Sequence, residues 1–220
     1  MSEAPAEVKV WDFWVRLFHW LLVLLVITLF VTGKVGGNWL EWHKLAGYAV
    51  LGLVLFRIVW GLVGSHHARF AHFVRGPDTV LRYMRGLLRG ETGRSLGHNP
   101  VGALSVLAML SVVAVQAVTG LFANDDVMLE GPYASMVSKE LSDLLTRIHK
   151  INANVLIALV TLHLLAIAYY FFVKKENMVR AMVTGKKAFT GNAPSIARPL
   201  WLAPLLAILA GLAVFLLVKK

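Results

Sequence analysis

Four histidines fall inside apolar runs long enough to cross a bilayer: His19, His43, His149 and His163. An ionisable side chain within a span is a functional-site candidate by default. His149 and His163 are 14 positions apart on one run, which leaves them within about 40° of the same helix face and about 21 Å apart along the axis. One helix thus offers two imidazoles at two depths. Because successive spans alternate in direction, depth pairs His19 with His163 and His43 with His149. Two histidine pairs at two depths are what two non-covalent b-type haems require, each iron taking one imidazole from each of two helices. A lone membrane histidine more often serves as a helix–helix hydrogen-bond donor, but independent structural histidines have no reason to match in depth across three helices. A bare metal ion is the competing chemistry, and two histidines without a nearby carboxylate or thiolate make a poor zinc site. The chain has no cysteine, which excludes an iron–sulfur cluster, a thiolate zinc site, a disulfide and a covalently attached c-type haem.

The elements that must position these residues follow from composition. Of 220 residues, 58% are hydrophobic and 15% charged, and the mean hydropathy is +0.68, outside the balance of a water-soluble domain. Spans are expected at about 14–33, 43–63, 101–123, 148–173 and 199–218, each near the roughly 20 residues a bilayer demands. No removed signal peptide, internal repeat or low-complexity segment is expected. The expected fold is therefore an all-α integral membrane protein: a four-helix transmembrane haem-binding bundle over residues 1–185, then a linker and a fifth transmembrane helix over 186–220. The net charge of +10 has a topological reading rather than a nucleic-acid one. Arg69, Arg75, Arg82, Arg85, Arg89 and Arg94 lie in one connection, and Lys174, Lys175, Arg180, Lys186, Lys187 and Arg198 in another. By the positive-inside rule both face the cytoplasm, with the N-terminus. Asp125, Asp126, Glu130, Glu140 and Asp143 lie in a connection on the opposite side. The fifth span would end outside despite closing on Lys219 and Lys220, or else not fully cross.

Haem propionates want cations. Arg57, 14 positions after His43, should point at the inner haem, with Arg16 as the other inner candidate; Lys44, Arg147 and Lys150 are the outer ones. For all but the deeper Arg57, snorkelling to headgroups is an equal reading. Gly47, Gly52 and Gly120 could admit a porphyrin to the backbone, although helix packing is the favoured role. Residues 77–90 place Leu81, Met84, Leu87 and Leu88 on one side and Arg82, Arg85 and Arg89 on the other, an interfacial helix lying on the inner leaflet. His66, His67 and His72 read as solvated or lipid-contacting side chains.

Val10–Trp20, the Trp42-His43-Lys44 entry to the second span, Gly97-His98-Asn99-Pro100-Val101-Gly102, Thr119-Gly120-Leu121-Phe122 with Asp125-Asp126, and Arg147-Ile148-His149-Lys150 through His163 resemble the bacterial cytochrome b561 family. The branch most similar is that of the b-type cytochrome subunit of nickel–iron hydrogenase, and the likeness covers about residues 8–185. The resemblance implies a four-helix core with two bis-histidine haem b groups, His19, His43, His149 and His163 as axial ligands, and electron exchange with membrane quinone and a redox partner. Residues 199–220 carry no histidine and no recognisable motif, so the partner stays open.

The expected function is transmembrane electron transfer between ubiquinone or menaquinone and a periplasmic redox protein such as a c-type cytochrome, in a bacterial inner membrane. An acidic outer loop would steer a basic partner face. The alternatives are a superoxide:quinone oxidoreductase, which would need a positive funnel at the outer haem, and a b-type anchor subunit of a hydrogenase or dehydrogenase. His98 and Asn99, near the inner haem, are the candidate quinone site. Asn99-Pro100 is equally a helix-start signal, and an outer quinone site is the runner-up.

Overall fold

The computed structural model describes residues 6–92, 95–127, 130–190 and 200–219. Arg94, Arg198 and Lys220, used above for topology, lie outside the described residues, as does 191–199 of the expected linker. In chain order the elements are β1 (Ala6–Lys9), α1 (Phe13–Val35), α2 (Trp39–Val63), α3 (Phe70–Phe73), α4 (Pro77–Leu88), α5 (Pro100–Gly120), a 3-10 turn (Ala134–Met136), α6 (Lys139–Phe172), α7 (Met178–Thr184), β2 (Lys186–Phe189) and α8 (Leu202–Val218). The first two long helices, α5 and α6 are each long and apolar enough to cross a membrane, and α8 is a shorter apolar helix of 17 residues. The protein is a multi-pass membrane protein.

Helix boundaries are set by capping rather than by hydropathy, and here they depart from the spans expected above. α6 begins at Lys139 instead of 148 because Ser138 accepts the Leu141 N–H at the N-cap, so a polar lead-in continues the helix beyond its apolar stretch. Asp12 caps α1 through the Val15 N–H at 2.8 Å. Asn99 caps α5, with Pro100 in its first turn, where a missing N–H costs nothing. The antiparallel pairing of β1 with β2, Ala6 opposite Phe189 through Lys9 opposite Lys186, was not expected; two four-residue segments about 180 positions apart leave no local signal.

α2 is the central helix, packed against α1, α5 and α8, while α5 packs on α6. Residues 6–12, 64–92, 95–99 and 173–190 gather at one end of the bundle, called here the basic end. Residues 36–38, 121–127 and 130–138 gather at the other, the acidic end. Val10, Trp11, Val15, Phe56, Trp60, Ala68, Ala181 and Ala203 form the buried cluster of the basic end, with Leu202 and Leu206 packed on it. At its far end α8 meets Tyr133, whose hydroxyl donates to the Leu217 carbonyl at 2.6 Å, so this helix runs the height of the bundle although its 17 residues rise only about 25 Å. On α4, Leu81, Met84 and Leu88 are exposed and Val80 is buried, the arrangement of an amphipathic helix anchored at one point and turned outward along its apolar side.

Candidate functional site

At the acidic end, His43 of α2 and His149 of α6 face each other across the bundle with ring centroids 6.2 Å apart and planes at 71°. Each histidine sits in the same kind of cradle on a neighbouring helix. His43 Nδ1 bonds the Leu29 carbonyl at 2.9 Å and lies 3.4 Å from Thr32 Oγ1. His149 Nδ1 bonds the Gln116 carbonyl at 3.0 Å and lies 3.2 Å from Thr119 Oγ1. Both threonines donate to carbonyls of their own helices, Thr32 to Thr28 and Thr119 to Val115. The carbonyl contacts therefore fix the proton on Nδ1 and leave each Nε2 as a lone pair, the tautomer a metal ligand needs. Asn152, three positions beyond His149, donates to Gln116 Oε1 at 2.6 Å and to the Val112 carbonyl at 2.9 Å, locking α6 to α5 at this level.

The residue after each threonine is glycine, and both glycines are required by close approach. A Cβ on Gly33 would stand 3.0 Å from His43 Cε1 and Nδ1, and one on Gly120 would stand 3.1 Å from His149 Cε1. Gly120, for which packing was the favoured role, is thus the floor of the His149 cradle. Gly52 meets Val214 of α8, and nothing lies within 4 Å of a Cβ on Gly47, one turn from His43. Two Thr-Gly pairs ending two spans and holding two histidines form a repeated unit that the sequence analysis missed. Its signal is the dipeptide itself, Thr32-Gly33 and Thr119-Gly120. Gly120→Val is expected to push the His149 ring off its carbonyl and abolish the spectral signature of the acidic-end site while sparing the basic-end one; optical difference spectra of the purified variant check this.

Toward the basic end, His19 of α1 and His163 of α6 lie within electrostatic range of each other. His19 Nδ1 is buried without a hydrogen-bond partner, and its ring stands edge-on to Trp20 at 5.0 Å. Among the described residues no group of three or more His, Cys, Asp or Glu side chains is placed to hold a metal ion. The donors come in twos, which suits a haem, whose ring supplies the other four ligands. Two metal–imidazole bonds of about 2 Å, plus the distance from each nitrogen to its ring centre, require centroids about 6 Å apart, and the His43–His149 spacing meets that. The residues present therefore fit haem b.

The cationic candidates are placed as follows. Arg57 is buried, with Nη1 donating to the Ala68 carbonyl at 3.2 Å and the guanidinium 4.9 Å from the Phe70 ring centre. Arg16 donates through Nη1 to the Val183 carbonyl, and its Nε is buried without a partner. Lys44 pairs with Glu41 at 3.0 Å. Arg147 and Lys150 line an acidic-end cleft of about 330 Å³ with Asn124, Asp125, Asp126 and Asp143, and Lys139 bridges Asp126 at 2.6 Å and Asp143 at 2.7 Å. A cleft in which three carboxylates meet Arg147, Lys150 and the bridging Lys139 carries no net positive charge and is not a positive funnel.

The candidate quinone residues lie in a polar layer beneath the basic end. His98 packs between Trp11 and Phe73, 4.6 Å from each ring, with Nδ1 unpartnered. Burial, reinforced by the charges of Arg57, Lys187 and His67, lowers its pKa to about 3; burial and the neighbouring His66, His72 and Lys187 lower His67 to about 4. Both are neutral near pH 7. His66, read from sequence as solvated, joins His67 and His72 in a cluster with ring centroids 5.0 and 4.1 Å away. Residues that sequence reasoning missed are Asp12, which accepts from Val15 N–H, Trp60 Nε1 and Ser65 Oγ while fully buried, and Tyr83 and Tyr170, which are joined to Asn99.

The chain is 26% identical to a probable Ni/Fe-hydrogenase B-type cytochrome subunit of Azotobacter chroococcum mcd 1, covering 85% of this chain and 91% of that protein. It is 25% identical to the protein of the same description in Azotobacter vinelandii, with the same coverage. A third, from Bradyrhizobium diazoefficiens, is 24% identical over 83% of this chain and 86% of that protein. The family described as prokaryotic cytochrome b561 matches residues 10–185, a stretch that holds all four intramembrane histidines, both Thr-Gly cradles and the polar layer of the basic end. The chain belongs to the prokaryotic cytochrome b561 family of b-type membrane cytochromes.

Proposed function

We propose that this protein carries electrons across the membrane through two b haems, one held by His43 and His149, the other by His19 and His163, between the quinone pool and a periplasmic redox protein. The observation that carries the reading is the placement of His43 and His149 opposite each other, ring centroids 6.2 Å apart, with both Nδ1 atoms committed to carbonyls. A haem with imidazole at both axial positions has no vacant site for oxygen or peroxide and supplies one-electron transfer. The chain's own residues do the rest. Leu29, Thr32, Gln116 and Thr119 fix tautomer and ring orientation, Gly33 and Gly120 give the rings room, and Arg16, Arg57, Lys44, Arg147 and Lys150 supply positive charge for the carboxylates at each end. The arginine-rich basic end faces the cytoplasm by the positive-inside rule, with quinone entering there near His98 and Asn99.

The acidic-end cleft supports a redox-protein partner, such as a c-type cytochrome, over a superoxide-oxidising site, because Asp125, Asp126 and Asp143 balance Lys139, Arg147 and Lys150 and leave no positive field to draw in an anion. The likeness to Ni/Fe-hydrogenase B-type cytochrome subunits favours a second form of the same reading, a subunit permanently bound to a larger hydrogenase or dehydrogenase; co-purification of a large subunit separates the two. The decisive experiment is a pyridine haemochrome assay on the purified protein. Two b haems per chain are expected, and one or none overturns the paired-histidine reading.

A further inference from the structure

The hydroxyls of Tyr83 and Tyr170 lie 3.1 Å apart, and Asn99 Nδ2 donates to the Tyr170 oxygen at 2.7 Å. The Asn99 amide cannot be turned round, because its Oδ1 accepts the Gly102 N–H at 2.7 Å as the cap of α5 and a backbone N–H can only donate. Asn99 Oδ1 is therefore committed within the fold, and one of the two Nδ2 N–H groups is spent on Tyr170. The protons of the two phenols can then be counted. Each phenol has one O–H to give and two lone pairs. The bond between them consumes one phenolic proton, and the Tyr170 oxygen spends one lone pair on Asn99. Whichever way the tyrosine–tyrosine bond runs, one phenolic O–H remains with no acceptor among the described residues.

The position of this spare donor is specific. Tyr83 sits on α4, whose Leu81, Met84 and Leu88 are exposed and give a lipid-soluble molecule a lateral approach. Tyr170 lies seven positions beyond His163 on α6, on nearly the same face and about 10 Å further toward the basic end. A donor at the lipid edge, one short step from a histidine of the basic-end pair, matches an oxygen acceptor on a flat, apolar, membrane-borne ring.

We infer that the spare phenolic O–H of the Tyr83–Tyr170 pair receives a carbonyl oxygen of the quinone, with Asn99 as a positioning residue acting through Tyr170. This deepens the basic-end quinone reading and rests on it. The probe is a short-tailed ubiquinone analogue, titrated into detergent-solubilised, haem-loaded protein and followed by quenching of tryptophan fluorescence. The infrared carbonyl band of the bound, ¹³C-labelled quinone is recorded alongside. The parent is expected to bind saturably. The double variant Tyr83→Phe, Tyr170→Phe should bind about tenfold more weakly, the scale of one lost hydrogen bond, and its carbonyl band should move to higher frequency. Either single variant retains one phenolic donor but loses the tyrosine–tyrosine hydrogen bond that aims it, so both affinity and band should lie between. A role confined to tethering α4 would leave the carbonyl band unmoved. Haem content is measured in every variant, and if the double variant loses haem, the two single variants decide by the same band. Parent-like affinity and band in the double variant overturn the tyrosine assignment alone, whereas a parent that shows no saturable binding overturns the quinone reading beneath it.

Discussion

His163→Ala is expected to remove the basic-end haem and leave the acidic-end haem with its low-spin spectrum intact, halving the pyridine haemochrome yield from two per chain to one. The two histidines proposed as ligands on α6 are 14 positions apart, or about 21 Å along the helix, well beyond the 7–10 Å or so at which substitutions begin to couple. The acidic-end site is also held by parts that His163 does not touch: the Leu29 carbonyl and Thr32-Gly33 on α1, and the Gln116 carbonyl and Thr119-Gly120 on α5. His163→Met, which offers a thioether in place of imidazole, should restore a second haem with an altered spectrum in part of the population. The variant must insert and survive extraction, which the surviving acidic-end signal itself reports. Two unchanged low-spin signals in His163→Ala would remove His163 from the ligand set.

Much of the architecture was legible because bilayer physics writes it in one dimension. An apolar run of about 20 residues has one solution in lipid, so the four long helices follow directly from hydropathy, and the depth of each histidine follows from its distance to the end of its run. What was not legible depends on the register between helices. Thr32-Gly33 and Thr119-Gly120 are unremarkable on their own helices and become cradles only when α2 and α6 slide into place, setting His43 and His149 against those glycines. Tyr83 and Tyr170 are 87 positions apart, and nothing in either neighbourhood predicts a shared proton. Asn99 was read both as quinone contact and as helix cap; the Gly102 N–H establishes the cap and moves the spare donor to the phenols. Arg57 was read through its helical phase with His43, yet its bond to Ala68 and its place over Phe70 come from a connection whose path no periodicity encodes. Asp12 carried the plainest signal, a carboxylate directly before an apolar run, and capping alone would explain it.

Capping is the smaller part of what Asp12 does, and Asp12→Ala is expected to cost about 3–5 kcal/mol of stability, because three buried donors lose their acceptor at about 1–3 kcal/mol each. The carboxylate is fully buried. Oδ1 accepts from Val15 N–H at 2.8 Å, while Oδ2 accepts from Trp60 Nε1 at 3.2 Å and from Ser65 Oγ, so one group ties the start of α1 to the end of α2 and to the connection that follows. The buried Arg57 guanidinium lies in its field. Truncation orphans an indole N–H, a hydroxyl and a backbone N–H in a place water does not reach, and loss of the cap alone accounts for only about 1 kcal/mol. At about 2–4 °C per kcal/mol for a chain of this size, thermal unfolding in detergent should fall by about 10 °C. Asp12→Asn discriminates between the roles. Its oxygen can still cap α1 and the Ser65 hydroxyl can rotate to accept, but the indole of Trp60 can only donate and then faces an amide NH₂, so an intermediate loss is expected. His19 is seven positions beyond Asp12 on the helix that the carboxylate anchors. On heating, Asp12→Ala should therefore lose the basic-end haem signal before the acidic-end one, whose cradles lie at the other end of the bundle. Should Asp12→Ala melt with the parent and shed both haems together, α1 is held to α2 by apolar packing alone, and the buried carboxylate network contributes nothing to the placement of His19.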